Sequence, residues 1–289
     1  MEQSYLNALQ HVLENGVTKK DRTGVGTRSV FGLQQRYDLS KGFPAVTTKK
    51  LAWKACVGEL LWFIEGSGDE RRLAEITHGT RDGVATIWTP NALASYWLPK
   101  AKFQGDLGRV YGVQWRHWKK YISKDNNRFE ETEIDQLQLL IDGIKKDPDG
   151  RRHILSSWNV ADMDQMALPP CHCFAQFYVA NGKLSCQMYQ RSNDLFLGCP
   201  FNIASYSLLT HMIAQVCDLE VGEFIHTTGD AHIYLNHMEQ VKEQLSRKPF
   251  IPPTLVLNSS IKDIKDFTMN DIRLENYKCH DPIKAEMAV

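Results

Sequence analysis

Apolar residues recur along this chain in two helical patterns, one striped and one nearly continuous. Residues 2–15 repeat an apolar position every three to four residues, which predicts an amphipathic helix, and residues 133–146 do the same. Residues 51–64 are apolar on almost every side, as in a helix buried within a core. Glu59 stands in the middle of that run. Burial should raise the pKa of its carboxyl group unless a lysine or a solvated groove compensates.

Strand-like segments dominate the second half of the chain. Residues 173–179 and 184–190 are rich in Phe, Tyr, Val and other apolar side chains, and they flank Ala180-Asn181-Gly182-Lys183. Since Asn-Gly tolerates positive φ angles, the two segments are predicted to form a β-hairpin. Residues 118–132 are polar and charged, which predicts an exposed insertion. The other predicted elements are strands near 29–39, 153–157, 222–227, 254–257 and 272–275, and helices near 69–76, 203–217 and 238–246.

Composition limits which kinds of partner, and which cellular compartment, are expected for this protein. The 34 Lys and Arg residues balance 34 Asp and Glu residues, which argues against a nucleic-acid groove or an anionic membrane surface as the main partner. The first residues lack the pattern of a signal peptide, and the most apolar run, 51–64, is too short to span a bilayer. Seven cysteines without framework spacing indicate reduced thiols in the cytoplasm. Because neither a repeat nor a linker divides the sequence, we expect a single domain over residues 1–289.

One stretch, residues 166–202, carries most of the candidate chemistry. Cys171 follows two prolines and precedes His172, and the second strand of the hairpin leads into Arg191-Ser192-Asn193-Asp194. A thiol and an anion-binding cluster would then lie at neighbouring strand ends, which suits a thiolate that attacks an anionic substrate. Simpler alternatives stay open: a buried cysteine that acts as a small hydrophobe, and a solvated turn. Zinc is a weaker alternative, since Cys171-His172-Cys173 has no second ligand pair at a familiar spacing.

Other residues admit a structural as well as a functional interpretation. His232 and Tyr234 are two residues apart, so on a strand their side chains point to the same face, where packing alone could explain them. The glycine-rich loop at residues 21–27 is by itself only a turn. Lys49, Lys50, Arg151 and Arg152 are most simply interpreted as surface charges, and Trp88 as a residue packed in the core.

Long motifs in a fixed order mark this chain as similar to a known family. ALPPCH, YQRSND, LGCPFNIASY and GDAHIYLNH, with DRTGVGT, GDLGRVYGVQWRH and the ending IKAEMAV, resemble thymidylate synthase. The likeness covers nearly the whole chain apart from a variable middle. It implies an α/β (α+β) fold in which helices cover a large mixed β-sheet, and a homodimer in which two such sheets pack against each other.

The resemblance also implies an activity, the reductive methylation of dUMP to dTMP. The one-carbon and hydride donor would be 5,10-methylenetetrahydrofolate, and no metal would be required. Cys171 would bond covalently to C6 of the pyrimidine, with nearby arginines depressing the pKa of its thiol. Asn202 would read the uracil edge, because an amide offers both a donor and an acceptor. The other catalytic residues would be Glu59, Tyr111, His172 and Asp194. The nucleotide would be bound by Arg22, Arg191, Ser192, Asn202, His232, Tyr234 and, from the partner subunit, Arg151 and Arg152. The folate would be bound by Lys49, Trp88, Asn91, Asp194 and Ala288.

Two departures from the family pattern leave the folate site open. Thr89-Pro90-Asn91 lacks an acidic residue that is usual there, and Arg109 replaces a proline beside Tyr111. Both keep open the homologous dUMP hydroxymethylase activity, in which water rather than hydride adds to the methylene group. A non-catalytic homologue that binds nucleotide or RNA is a further alternative, opposed by the neutral net charge and the intact reactive residues.

Overall fold

The strands of this computed structural model form one large sheet and two small two-stranded sheets. The structure describes residues 1–21, 24–125 and 128–286. The strands are β1 (Val17–Lys19), β2 (Thr27–Asp38), β3 (Trp118–Ser123), β4 (Phe129–Ile134), β5 (Ile154–Ser156), β6 (His172–Ala180), β7 (Lys183–Asp194), β8 (Glu220–Tyr234), β9 (Thr254–Leu257) and β10 (Ile272–Glu275).

The large sheet is mixed, as the resemblance implied. Its strand order is β1-β2-β8-β7-β6-β5. β7 and β8 run parallel, and the other neighbours in this sheet run antiparallel. A long helix, Cys199–Val216, makes the crossover that a parallel pair needs. The parallel register sets Ser192 beside Asp230 and Asp194 beside His232.

The predicted hairpin is confirmed in β6 and β7. Asn181 and Gly182 have φ angles of 51° and 72°, the left-handed conformations that a tight two-residue turn requires. His172 at the start of β6 pairs with Gln190 near the end of β7. Cys171 therefore comes to lie beside the polar residues that end β7.

Helices pack on one face of the sheet and around its ends. The crossover helix is buried along most of its length, and most of the helix that carries Glu59 is buried too. No helix in the described ranges is both long and apolar enough to cross a membrane. The helices are α1 (Glu2–Asn15), α2 (Trp53–Glu65), α3 (Glu70–His78), α4 (Thr89–Ala92), α5 (Tyr111–Arg116), α6 (Gln136–Lys146), α7 (Cys199–Val216) and α8 (Met238–Ser246).

The start of α6 differs from its prediction. We expected a helix from residue 133, but β4 continues to Ile134 and the helix begins at Gln136. The Asp135 side chain accepts a hydrogen bond from the Gln138 backbone N–H, so Asp135 caps the helix. The predicted exposed insertion is the β3–β4 hairpin, whose side chains are mostly exposed.

The other face of the sheet leaves large apolar side chains in contact with solvent. Phe31 is 86% exposed, Tyr178 64% and Phe174 40%, while Ile154 adds an exposed aliphatic side chain on the edge strand. Such a cluster of apolar groups on one sheet is typical of a surface that another protein surface covers.

Candidate active site

Cys171 lies just before β6, fixed between two prolines and Arg191. The Arg191 backbone N–H donates to the Cys171 carbonyl oxygen at 2.9 Å. The guanidinium donates from Nε to the Pro170 carbonyl and from Nη2 to the Pro169 carbonyl, both at 2.9 Å. The same Nη2 lies 3.8 Å from Cys171 Sγ. The two carbonyl oxygens thus hold a positive charge beside the sulfur.

The pKa of the Cys171 thiol is nevertheless raised. Burial is the largest cause, and the charge of Arg191 and a hydrogen bond with Tyr111 oppose it without outweighing it. The expectation of a depressed thiol pKa is therefore wrong. One guanidinium that already serves two carbonyl groups does not offset the loss of water around the sulfur.

Tyr111, at the start of α5, contacts Cys171 from a distant part of the sequence. The Cys171 backbone N–H donates to Tyr111 Oη at 2.7 Å. The Tyr111 ring packs between Phe63 and His172, with centroid separations of 4.9 and 5.0 Å. Burial raises the pKa of Tyr111 well above its usual value, so the side chain is a neutral phenol. While it accepts this bond, the phenol can still donate its own proton into the site.

A hydrogen-bonded chain of amides and imidazoles leads away from His172. Asn202 Nδ2 lies 2.8 Å from His172 Nε2, and Gln190 Nε2 donates to Asn202 Oδ1 at 3.0 Å. Gln190 Oε1 in turn lies 2.8 Å from His226 Nε2. Burial lowers the pKa of His172 and of His226 to about 3, so both rings are neutral near pH 7. The chain fixes the Asn202 amide, whose oxygen and nitrogen each keep capacity for another partner.

Glu59 lies on the same side of the site as Tyr111, linked through an indole. Trp88 Nε1 donates to Glu59 Oε1 at 2.7 Å, and the Trp88 ring lies 5.8 Å from that of Tyr111. Burial raises the pKa of Glu59 to about 7, although the Trp88 hydrogen bond opposes the rise. The expected raised pKa is therefore confirmed, and neither a lysine nor an open groove cancels it.

Asp194 and Lys49 meet at the turn between β7 and α7. Asp194 Oδ1 accepts hydrogen bonds from the backbone N–H groups of Phe196 and Leu197 at 2.9 and 3.1 Å. Lys49 Nζ donates to the Phe196 carbonyl and lies 3.7 Å from the centre of the Phe196 ring. Burial lowers the pKa of Lys49 to about 8. The interpretation of Lys49 as surface charge is therefore wrong, whereas Lys50 is exposed.

His232 and Tyr234 lie on β8 with their rings in edge contact, 5.3 Å between centroids. His232 Nδ1 lies 3.1 Å from Asp230 Oδ1, and Lys19 Nζ donates to the other oxygen of Asp230 at 2.9 Å. The hydrogen bond from His232, helped by Lys19, lowers the pKa of Asp230 to about 2. The parallel register sets Ser192 of β7 beside this group.

Within one chain, Arg151 and Arg152 lie far from Cys171. Both are exposed and precede β5, in which Ile154 pairs with Gln176. That register puts Arg152 level with Tyr178, roughly 20 Å along the strand from Cys171. Of the other predicted contacts, Asn91 lies in α4, three residues after Trp88, while Arg22 and Ala288 fall outside the described residues.

Sequence reasoning missed two members of the site. Gln190 links Asn202 to His226, and Asp230 orients His232. Each had a signal: Gln190 is the polar residue that follows Leu184, Cys186 and Met188 on one face of β7, and Asp230 precedes His232 by two residues, which puts both on one face of β8.

The Cys171 thiol, the fixed Asn202 amide, the Glu59 carboxyl group and the Arg191 guanidinium are thus linked through Tyr111, His172 and Trp88 near one end of the sheet. Among the residues that the structure describes, no group of three or more His, Cys, Asp or Glu side chains could hold a metal ion. Comparison with known families gives a match to the thymidylate synthase model over residues 3–289, essentially the whole chain.

Proposed function

We propose, since this chain belongs to the thymidylate synthase family, that it converts dUMP to dTMP with 5,10-methylenetetrahydrofolate. The family implies a methyltransferase-type enzyme of nucleotide biosynthesis that acts on these two substrates. The observation that carries the proposal is the position of Cys171. Its Sγ lies 3.8 Å from Arg191 Nη2, and its backbone N–H donates a hydrogen bond to Tyr111 Oη.

Cys171 is the nucleophile of this reaction. C5 of uracil is a poor nucleophile, and addition of a thiolate to C6 turns the ring into an enolate whose C5 attacks the methylene carbon. Loss of the C5 proton expels the folate nitrogen and leaves an exocyclic methylene group. Hydride transfer from the folate to that group expels the thiolate, which gives dTMP and dihydrofolate.

Arginines and Ser192 hold the nucleotide phosphate. Arg191 and Ser192 come from the end of β7, and Arg22 precedes β2 in the sequence. Arg151 and Arg152 of the partner subunit complete the set, which agrees with their distance from Cys171 within one chain. Several guanidinium groups around a dianion give both affinity and register, because each can bind phosphate through two parallel hydrogen bonds. His232 and Tyr234 hold the deoxyribose hydroxyl.

Asn202 selects uracil over cytosine. Its free donor and acceptor capacity matches O4 and N3–H of uracil, whereas cytosine presents an amine and an unprotonated nitrogen there. Gln190 and His172 already fix the amide, so little ordering is needed when the base binds.

Glu59, Tyr111 and His172 handle protons around the ring. A carboxyl group with a pKa of about 7 can both hold and release a proton near neutral pH. Tyr111 acts nearest the C5 proton, and His172, which is neutral because burial lowers its pKa to about 3, adds no positive charge beside Asn202.

Trp88, Asn91, Asp194, Lys49 and Ala288 bind the folate. Trp88 is buried between Glu59 and Tyr111, and Asp194 hydrogen-bonds the folate ring. Lys49 would exchange the Phe196 carbonyl for a carboxylate of the folate tail. A carboxylate is the better partner for an ammonium group, so this exchange is favourable.

The exposed apolar face of the sheet supports a homodimer. Phe31, Phe174 and Tyr178 would be covered by the same face of a second chain, in a two-fold arrangement. We further propose one domain per subunit, a cytoplasmic location, and neither a membrane nor a nucleic acid as partner.

Product analysis tests the proposal. The protein is incubated with dUMP and methylenetetrahydrofolate, and nucleotide and folate products are separated by chromatography. We expect dTMP and dihydrofolate in equal amounts. Hydroxymethyl-dUMP with tetrahydrofolate would instead establish the hydroxymethylase reaction on the same scaffold, and absence of turnover with tight dUMP binding would indicate a non-catalytic homologue.

A further inference from the structure

Arg109, which stands where the family has a proline, is committed to an ion pair. Its Nε donates to Asp162 Oδ2 at 2.6 Å, and its Nη2 donates to the His117 carbonyl. The Arg109 side chain is 15% exposed and that of Asp162 is 5% exposed. The positive charge two residues before Tyr111 is therefore neutralised within the protein and largely shielded from water.

Asp162 is the centre of a larger polar cluster. Gln114 Nε2 and Asn159 Nδ2 donate to its Oδ2 at 2.9 and 3.1 Å, and Gln165 Nε2 donates to its Oδ1 at 3.2 Å. Burial opposes ionisation, but the hydrogen bonds from Gln114 and Arg109 hold the pKa of Asp162 below its ordinary value. A charged, fully hydrogen-bonded pair of this kind has a fixed geometry.

This cluster joins the two segments that carry Tyr111 and Cys171. Residues 107–109 pair with residues 165–167 through backbone hydrogen bonds of 2.9 and 3.0 Å. Tyr111 follows the first segment by two residues, and Cys171 follows the second by four. Beyond these backbone hydrogen bonds, the two segments meet again where the Cys171 backbone N–H donates to Tyr111 Oη.

We infer that the Arg109–Asp162 ion pair is a positioning device, which sets Tyr111 Oη against the Cys171 backbone by clamping the segments before them. A proline stiffens one segment alone, whereas this pair ties both together. The inference rests on the proposed function for its effect on turnover, but the geometry at Cys171 can be followed without turnover.

A set of variants separates positioning from plain stability. Arg109→Ala and Asp162→Asn each break the ion pair. Arg109→Lys keeps the charge but cannot reach both Asp162 and the His117 carbonyl. Arg116→Ala is the matched control, because Arg116 lies on the helix of Tyr111, is 16% exposed and pairs at 2.9 Å with Asp135, outside both clamped segments.

The first readout is the pH dependence of Cys171 alkylation by iodoacetamide, located by peptide mass spectrometry. A hydrogen bond between Tyr111 and the Cys171 thiol lowers the pKa of that thiol and so favours the thiolate. Its loss should move the alkylation midpoint upward by about 0.5 to 1 pH unit in Arg109→Ala and Asp162→Asn. Arg109→Lys should recover part of the shift, and Arg116→Ala should leave the midpoint unchanged.

The second readout is steady-state turnover with dUMP and methylenetetrahydrofolate. Displacement of Tyr111 should lower kcat about 10- to 100-fold in Arg109→Ala while KM for dUMP changes little. A midpoint that is unchanged or lower in folded Arg109→Lys and Asp162→Asn would overturn the inference, as would equal effects in Arg116→Ala. If wild-type protein forms no dTMP, the proposed function fails, whereas the alkylation series still decides the role of the pair.

Discussion

At the scale of single residues, the Asn202 amide is oriented by its neighbours. Gln190 donates to its oxygen, and its nitrogen faces His172 Nε2. The roles of donor and acceptor are therefore set by two side chains that could not be paired with Asn202 from sequence spacing alone, since they lie on different strands.

Replacement of this amide tests the specificity argument. Asn202→Asp removes the donor and adds an acceptor, which suits the exocyclic amine of cytosine. The ratio of kcat/KM for dCMP to that for dUMP should rise by about 10- to 100-fold. Rates with both nucleotides, measured beside Asn202→Ala as a control, give the answer. A variant as selective for dUMP as wild type would remove Asn202 from the reading of the base.

Glu59 changes protonation in the neutral range because burial raises its pKa from 4.5 to about 7. Between these pH values the folded protein holds the proton more tightly than the unfolded chain does. The free energy of unfolding therefore falls as the pH rises through this window. Glu59→Gln should remove that loss of unfolding free energy and eliminate an ionisation near pH 7 from the profile of kcat/KM.

Urea unfolding and rate measurements from pH 4.5 to 8 check both effects. Glu65→Gln is the control, since Glu65 ends the same helix but is exposed. A pH profile of Glu59→Gln that matches wild type in both stability and rate would contradict the assignment. Turnover should fall by about 100-fold if Glu59 takes part in proton transfer.

The sequence predicted in outline which residues lie together around Cys171, because they belong to long motifs. It could not predict the balance of forces on them. The thiol pKa of Cys171 depends on how far burial outweighs Arg191, and the pKa of Lys49 depends on how far burial outweighs the charge of Asp194, which is distant in sequence. The balance between burial and nearby charges depends on atomic distances, which cannot be read from the residue types.

At the scale of elements, two helical glycines have opposite surroundings. A Cβ atom at Gly58 in α2 would lie 2.3 Å from Thr77 Oγ1 of α3, whereas one at Gly143 in α6 would meet its nearest neighbour, His153 Nδ1, at 3.4 Å. Gly58 permits the close approach of α2 and α3. Gly143 has no comparable function in packing.

Alanine at these positions should therefore have opposite effects on stability. Gly143→Ala should raise the unfolding free energy by up to about 1 kcal/mol through helix propensity. Gly58→Ala should lower it by roughly 1–3 kcal/mol, because overpacking exceeds that gain. Thr77→Ala added to Gly58→Ala should restore part of the loss. Denaturant titrations compare the variants, and a Gly58→Ala protein stabilised like Gly143→Ala would show that α2 and α3 do not pack closely.

Element prediction succeeded where periodicity was clear and failed where a cap decided the boundary. The ranges of α1 and α8 agree with prediction residue for residue. The start of α6 was placed three residues early, because Glu133 and Ile134 fit a helical stripe as well as a strand. The pairing of both residues with β3 and the hydrogen bond to the Asp135 side chain separate the two outcomes.

At the scale of the whole molecule, the site as proposed is complete only in a dimer. The exposed sheet face offers a surface for the partner, and the two exposed arginines at residues 151 and 152 lie too far from Cys171 to serve it within one chain. The pattern of residues in one chain does not predict this arrangement, and the expectation of a dimer came only from the family resemblance.

Subunit mixing tests the shared site. Dimers of Arg151→Ala/Arg152→Ala and dimers of Cys171→Ser should each be inactive. After subunit exchange, hybrid dimers should contain one intact site, so an equal mixture should regain about one quarter of wild-type activity. A mixture of Cys171→Ser with Cys171→Ala serves as the control and should stay inactive. Absence of recovery despite proven exchange would show that the arginines act within their own chain.

The most direct test of the covalent mechanism compares wild type with Cys171→Ser in two measurements on the same samples. Calorimetry gives the affinity for dUMP, and chromatography gives dTMP and dihydrofolate formed with methylenetetrahydrofolate. We predict that the serine variant binds dUMP with similar affinity yet forms neither product, because only the thiolate can add to C6. Turnover by Cys171→Ser at the wild-type rate would contradict the account.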